Sequence, residues 1–288
     1  AVIASRCGIT NLALEGILLF AALFAVIGSW LFDSALGGVI FAILTGVGFS
    51  LFLAYFKLKL KADEFMAAIA INLLSTGTTV FILFLVSGSK GNSASLGSKI
   101  LPTLDIPLIK DIPFIGEVIS GHSILVYITI ILTFLVNYLL FKTPLGLRIR
   151  SVGGNEDAAE SVGISVNKTR YIAMMISGVF VGLAGAYMSM SYMSMFTAGM
   201  TSGRGFIGLA SASVGGNTPL GSLFASLFFG FFDSLGNNLQ LFSIPADLIF
   251  MIPYIATIIV YTYYTYKREN RKKRMAKKIL SESTRMVK

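Results

Sequence analysis

Seven runs of 16 to 23 mostly apolar residues punctuate the chain, at 12–32, 35–56, 65–86, 123–141, 171–193, 220–235 and 247–266, with polar or glycine-rich stretches between them. An α-helix rises about 1.5 Å per residue, so about twenty residues cross a hydrocarbon core about 30 Å thick. The runs are continuous rather than alternating, which argues for helices and against barrel strands. A shorter apolar piece at 206–214 is flanked by Gly203, Gly205, Gly215, Gly216 and Pro219. It is too short to cross alone and reads as a broken or re-entrant helix, whose exposed backbone must be covered by protein or line a water-filled cavity. The pattern predicts an all-α integral membrane protein: a polytopic helical bundle with about seven full spans plus one broken or re-entrant helix.

Composition agrees. With 55% hydrophobic residues, 13% charged residues and a mean hydropathy of +0.79, the 288-residue chain has too much apolar surface for a water-soluble domain. One cysteine, Cys7, leaves no internal disulfide, and one histidine, His122, has no neighbouring cluster of metal-ligand spacing, so both read as structural. No nucleophile–base pair or carboxylate cluster stands at useful spacing, so an enzyme is not expected. The chain opens on Ala1 without a cleavable signal peptide, and residues 1–4 read as the tail of an apolar segment that begins earlier.

Charge orients the spans. With alternating spans and the broken helix returning the chain inward, one side receives Lys57, Lys59, Lys61, Lys142, Arg148, Arg150, Lys168, Arg170 and the ten basic residues of 267–288, together 18 of 23. By the positive-inside rule that side is cytoplasmic, including the C-terminus. The tail can also be read as a nucleic-acid patch. A topology anchor that attracts anionic lipid headgroups is the better reading, with Tyr261, Tyr263, Tyr264 and Tyr266 as an interfacial belt and no nucleic acid as partner. The expected organisation is a membrane domain over 1–266, with a cytoplasmic loop at 143–170 and an external loop at 87–121, and a basic cytoplasmic tail over 267–288. The external loop is rich in Gly, Ser and Pro. It suits contact with an external binding protein, a packed lid, or a short interfacial helix.

Several polar residues fall inside the apolar runs. Ala68, Asn72, Ser75, Thr76 and Thr79 form a small, polar stripe at helical spacing. Such groups turn away from lipid, so Asn72, Ser75 and Thr76 are candidates for a solute pathway, the alternative being hydrogen bonds between helices. Gly205, Phe206 and Asn217 border the broken helix, where freed backbone groups can bind a polar solute or simply make a tight turn. Gly178 with Gly182, and Ser222, Ser226 and Gly230, offer faces for close helix packing. Asp33 and Asp247 sit near span ends. Glu15 and Asp233 are harder to place, and an ion-coupled secondary transporter of a small polar solute, using them for proton or sodium coupling, is the rival reading.

The stretch 145–188, LGLRIRSVGGNEDAAESVGISVNKTRYIAMMISGVFVGLAGAYM, sets a basic, polar, helical insert before a glycine-rich span. The chain leaves the bilayer near Lys142 and re-enters near Tyr171. Gly153-Gly154-Asn155 reads as a turn and helix start, Glu156 and Asp157 complement the helix dipole, and Gly163 can end the helix. So short a helix must pack on something, either another chain or this protein's own inner surface.

These residues resemble the permease subunits of bacterial ABC importers for ribose-like sugars and nucleosides, and three further stretches agree: GITNLALEG at 8–16, LKADEFMAAIAINLL at 60–74, and GRGFIGLASASVGGNTPLGSLFASLFFGFFDSLG at 203–236. The similarity covers nearly the whole chain and is closer to the nucleoside type. It implies that Gly154, Asn155, Glu156, Ala158, Ala159 and Gly163 form the segment facing an ABC ATPase subunit. It also implies a second, sibling permease subunit, an extracytoplasmic substrate-binding lipoprotein, a multi-pass location in the bacterial cell membrane, and a family helix ahead of Arg6. The chain contains no G-x-x-x-x-G-K-[ST], so ATP is expected on the partner subunit and no cofactor in this chain.

Overall fold

The computed structural model describes residues 1–105, 120–239 and 262. Ten α-helices lie among them: α1 (Val2–Arg6), α2 (Leu14–Leu31), α3 (Ala35–Leu58), α4 (Glu64–Ser87), α5 (Ile124–Lys142), α6 (Pro144–Gly154), α7 (Glu156–Ser161), α8 (Val166–Tyr187), α9 (Arg204–Val214) and α10 (Pro219–Leu239). Six of these, α2 to α5, α8 with the π-helical turn Met188–Tyr192 that extends it, and α10, are long and apolar enough to span a membrane. They coincide with six of the seven expected spans. The seventh, at 247–266, and the basic tail at 267–288 lie outside the described residues, as do Asp247 and the tyrosine belt.

The helix ends follow local chemistry. Asp63 caps α4 by accepting a hydrogen bond from the Met66 amide at 2.9 Å, and Gly88, at φ +72°, closes it in the left-handed region that glycine tolerates. The span expected to begin at Tyr171 begins five residues earlier, at Val166, so the helix takes in Asn167, Lys168, Thr169 and Arg170 ahead of its apolar run. In the loop expected to be external, the described residues form a 3-10 turn at Ala94–Leu96, and a short antiparallel ribbon pairs β1 (Thr103–Leu104) with β2 (His122–Ser123). Residues 106–119 of that loop lie outside the described residues.

The chain divides into two compact units, Ala1–Leu223 and Phe224–Lys288. In the first, α2 is the central helix. Of its residues 78% are buried, against 17% for α5, although α5 is the more hydropathic of the two. What draws α2, α3 and α8 together is smallness. A Cβ at Gly178 would lie 2.6 Å from the Gly46 carbonyl oxygen, and one at Gly185 would lie 2.6 Å from the Ala21 side chain. The Gly178/Gly182 pair therefore serves packing within the chain. In the second unit, the described part of α10 carries a phenylalanine cluster, with the Phe228 and Phe232 rings 4.7 Å apart.

Two ends of the first unit can be told apart by what they gather. At the end named outer after the charge-based expectation, Asp33, residues 88–105 and residues 190–198 meet. Lys99 reaches Asp33 at 3.1 Å, the Ser93 and Phe196 backbones bond, and the Leu101 amide donates to the Met190 carbonyl at 2.9 Å. At the other end, named inner on the same ground, a second apolar core joins Ile3 and Cys7 of the N-terminal segment to Val136 and Leu140 of α5, Ile149 and Val152 of α6, Ala159 of α7 and Ala173 of α8.

Candidate functional site

The broken helix expected at 206–214 forms as α9, two residues longer at its start. Eleven residues give it a length of about 16 Å, half a membrane. Its first amides have no partners within the helix, and Glu15 of α2 supplies them: one carboxylate oxygen accepts from the Gly203 amide at 2.8 Å and the other from the Gly205 amide at 2.7 Å. A negative group at a helix N-terminus is also favoured by the helix dipole. Gly205 is glycine for a steric reason, since a Cβ there would lie 2.6 Å from the Glu15 backbone. The carboxylate that sequence left unplaced is thus bonded at both oxygens to backbone amides.

The opposite end of α9 is held by the opposite charge. Arg6 donates from Nε to the Asn217 carbonyl at 2.6 Å and from Nη2 to the Gly216 carbonyl at 3.1 Å. Gly216 and Asn217 both have positive φ in the turn after α9, where a cation complements the helix C-terminus. Of the residues expected to border the pathway, Gly205 is buried against Glu15, Phe206 is half exposed, and Asn217 lies in this turn.

Asn72 sits about 12 Å along α4 from Glu64. Its Oδ1 accepts from the Gly16 amide, in the first turn of α2, at 2.8 Å, and its Nδ2 donates to the Leu12 carbonyl at 3.1 Å. Both ends of the amide are therefore engaged with the start of α2. Ser75 is buried, bonds the Asn72 carbonyl at 2.6 Å and faces Gly16, whereas Thr76 is exposed and bonds the same carbonyl at 3.1 Å. Asn72, Gly16, Glu15, Gly203 and Gly205 thus form one polar patch in which two helix starts, those of α2 and α9, are capped by side chains.

At the inner end the insert is two helices rather than one. Gly153 and Gly154 close α6, and Asn155 begins α7 by accepting from the Ala158 amide at 3.0 Å. Gly163, at φ +83°, follows the end of α7. Glu156, Asp157, Ala158, Glu160 and Ser161 are exposed. Ala159 is only 2% exposed and packs in the inner core, so it anchors α7 rather than sharing its outward face. Arg170 of α8 pairs with Glu156 at 2.5 Å and donates to the Cys7 carbonyl at 3.4 Å. Lys57 pairs with Glu64, and its ammonium also lies 3.4 Å from the Gly8 carbonyl. Burial pushes the Cys7 thiol up to about 11, against the weaker opposing pull of the Arg170 cation.

Sequence reasoning missed Arg6, whose carbonyl partners lie more than two hundred residues away. The signal was its charge beside a span with no acidic residue in reach along the sequence.

A model of the family described as the permease component of branched-chain amino acid transport systems matches residues 1–261. The chain belongs to this permease family. As an ABC transporter permease it is a transport component rather than an enzyme. The guanosine ABC transporter permease protein NupQ of Bacillus subtilis is 39% identical over 275 residues, covering 91% of this permease and 85% of NupQ. The nucleoside ABC transporter permease protein NupC of Lactococcus lactis is 33% identical over 279 residues, covering 92% and 86%. A putative glucose ABC transporter permease, TsgC13 of Haloferax volcanii, is 27% identical over 297 residues, covering 93% and 87%. No solved structure matches the chain significantly.

Proposed function

We propose that this permease forms the translocation path of an ATP-driven importer of nucleosides, with its basic side and C-terminus in the cytoplasm. The observation that carries ATP coupling is the outward face of α7. It projects charged and small side chains into solvent while Ala159 and Arg170 tie the helix to the inner core. A short helix of that kind is a docking element for a companion chain. The nucleoside assignment rests on the names of NupQ and NupC, the two relatives above 30% identity over nine-tenths of the chain. ATP is bound by an ATPase subunit. A second, sibling permease and an extracytoplasmic binding lipoprotein complete the assembly, and solute passes along Asn72, Ser75, Thr76, Gly205, Phe206 and Asn217.

Pull-down from native membranes followed by uptake of radiolabelled guanosine into proteoliposomes tests the proposal. Uptake is expected to require ATP and the co-purified ATPase and to persist when ion gradients are collapsed. Accumulation by this chain alone, driven by a proton or sodium gradient, would overturn it. Glu15→Gln is expected to lower uptake through a loosened α9 while leaving it indifferent to external pH; a displaced pH profile would restore the ion-coupled alternative.

A further inference from the structure

Both anchors of α9 lie within ten residues of one another in the chain, at Arg6 and Glu15. The segment between them is itself gripped by the cytoplasmic insert. Arg170, paired with Glu156 of α7, donates to the Cys7 carbonyl and lies in van der Waals range of Gly8. On the other side the α6 backbone presses against α1: a Cβ at Gly153 would lie 2.8 Å from the Arg6 carbonyl carbon, so only glycine fits there. A third contact runs through Phe141, the penultimate residue of α5. Arg6 stacks over its ring at 5.9 Å and Arg150 of α6 over the same ring at 5.1 Å. The Arg6 side chain is therefore the group that touches the insert's neighbour Phe141 and the end of α9 at once.

We infer that Arg6 is a positioning residue that transmits displacement of the α6–α7 insert to the broken helix α9. The inference rests on the ATP-coupled reading above. The elbow from Arg6 to Thr10 is expected to move with α6 and α7, because Gly153 backs directly onto the Arg6 carbonyl and Arg170 bonds the Cys7 carbonyl. The guanidinium, bonded to two carbonyls in a fork that a point charge cannot reproduce, carries the motion to Gly216 and Asn217. At the far end of α9 the Glu15 carboxylate is the matching hold on Gly203 and Gly205, so a shift of the elbow drives the half-helix as one body.

The test uses the complex purified from native membranes with its companion chains, reconstituted in liposomes and supplied with guanosine. Guanosine taken up per ATP hydrolysed is the readout. Arg6→Gln is expected to cut that ratio at least tenfold while ATP hydrolysis stays within twofold of the unsubstituted complex, and Arg6→Lys should fall between. A purely structural Arg6 would lower uptake and hydrolysis in proportion, and that result overturns the inference, as does an unchanged ratio. Should Arg6→Gln fail to accumulate in the membrane, the same ratio is read on Arg6→Lys, with the same two overturning results. Glu156→Gln combined with the Arg6 variant should cost no more than the worse single change; additive losses would place the two on separate routes and refute the relay. If the unsubstituted complex takes up guanosine without ATP, the functional reading itself fails. If it is ATP-coupled and Arg6 is indifferent, only the relay fails.

Discussion

The outer and inner ends of the first unit are held by different chemistry. At the outer end the connections are mainly backbone: Ser93 exchanges bonds with Phe196, Leu101 bonds Met190, Asn92 bridges Thr197, and the Ser29 hydroxyl bonds the Lys99 amide at 2.9 Å. At the inner end they are charged side chains: Arg6 on two carbonyls, Arg170 on Glu156, Lys57 on Glu64, and two guanidinium groups over Phe141. Backbone bonds fix one geometry. The inner ionic side chains are sheltered, with Arg170, Lys57 and Glu64 only 15%, 21% and 20% exposed, so they hold the elements together but depend on charge to do so. The outer end is thus held by backbone pairing and the inner end by charge.

The sharpest way to break this contrast is Arg170→Glu, which sets two carboxylates against each other at the inner end. Uptake is expected to fall at least tenfold with the protein still inserted in the membrane, and adding Glu156→Arg should recover part of it; near-normal uptake in the single variant would make the inner contacts decorative. Next in size is Ser93→Ala at the outer end. It strips the buried Phe196 amide of its acceptor at 2.9 Å, and the thermal midpoint in detergent should drop in line with a cost of about 1–3 kcal/mol. Raising salt from about 0.05 to about 0.5 M should speed hydrogen exchange in α6 and α7 a few-fold and leave residues 88–105 unchanged, because screening acts on charges and not on backbone bonds. Equal acceleration at both ends would erase the distinction. Smallest is Lys99→Met. It removes an exposed pair with Asp33, whose side chain is 84% exposed, and both stability and uptake should stay within measurement error.

How much of this was legible beforehand depended on range. The six described spans could be read because hydropathy and length are local properties, and the Asn155 helix start because its cap acts three residues away. The glycine pair at Gly178 and Gly182 announced a close approach but not its partner, Gly46. The order of burial was not legible at all: α5 exceeds α2 in hydropathy and is far less buried, since lipid and protein interior are both apolar and only small residues tell them apart. Asn72 and Glu15 stood out as polar groups in apolar runs. Their partners, the Gly16 amide and the Gly203 and Gly205 amides, are backbone groups that carry no sequence signature. The charge of Arg6 was visible but its partners, the Gly216 and Asn217 carbonyls, were not, for the same reason.

Cys7 is the chain's single thiol and is fully buried at the inner end, with its proton retained far above physiological pH. Only thiolate reacts readily with alkylating reagents, so the sulfur is doubly protected while the elbow is seated. Nature has thus supplied a native reporter: the rate at which an iodoacetamide adduct accumulates in the unmodified protein follows the fraction of time that corner stands open, and comparing resting with turning-over transporter would show whether turnover exposes it, without any engineered label.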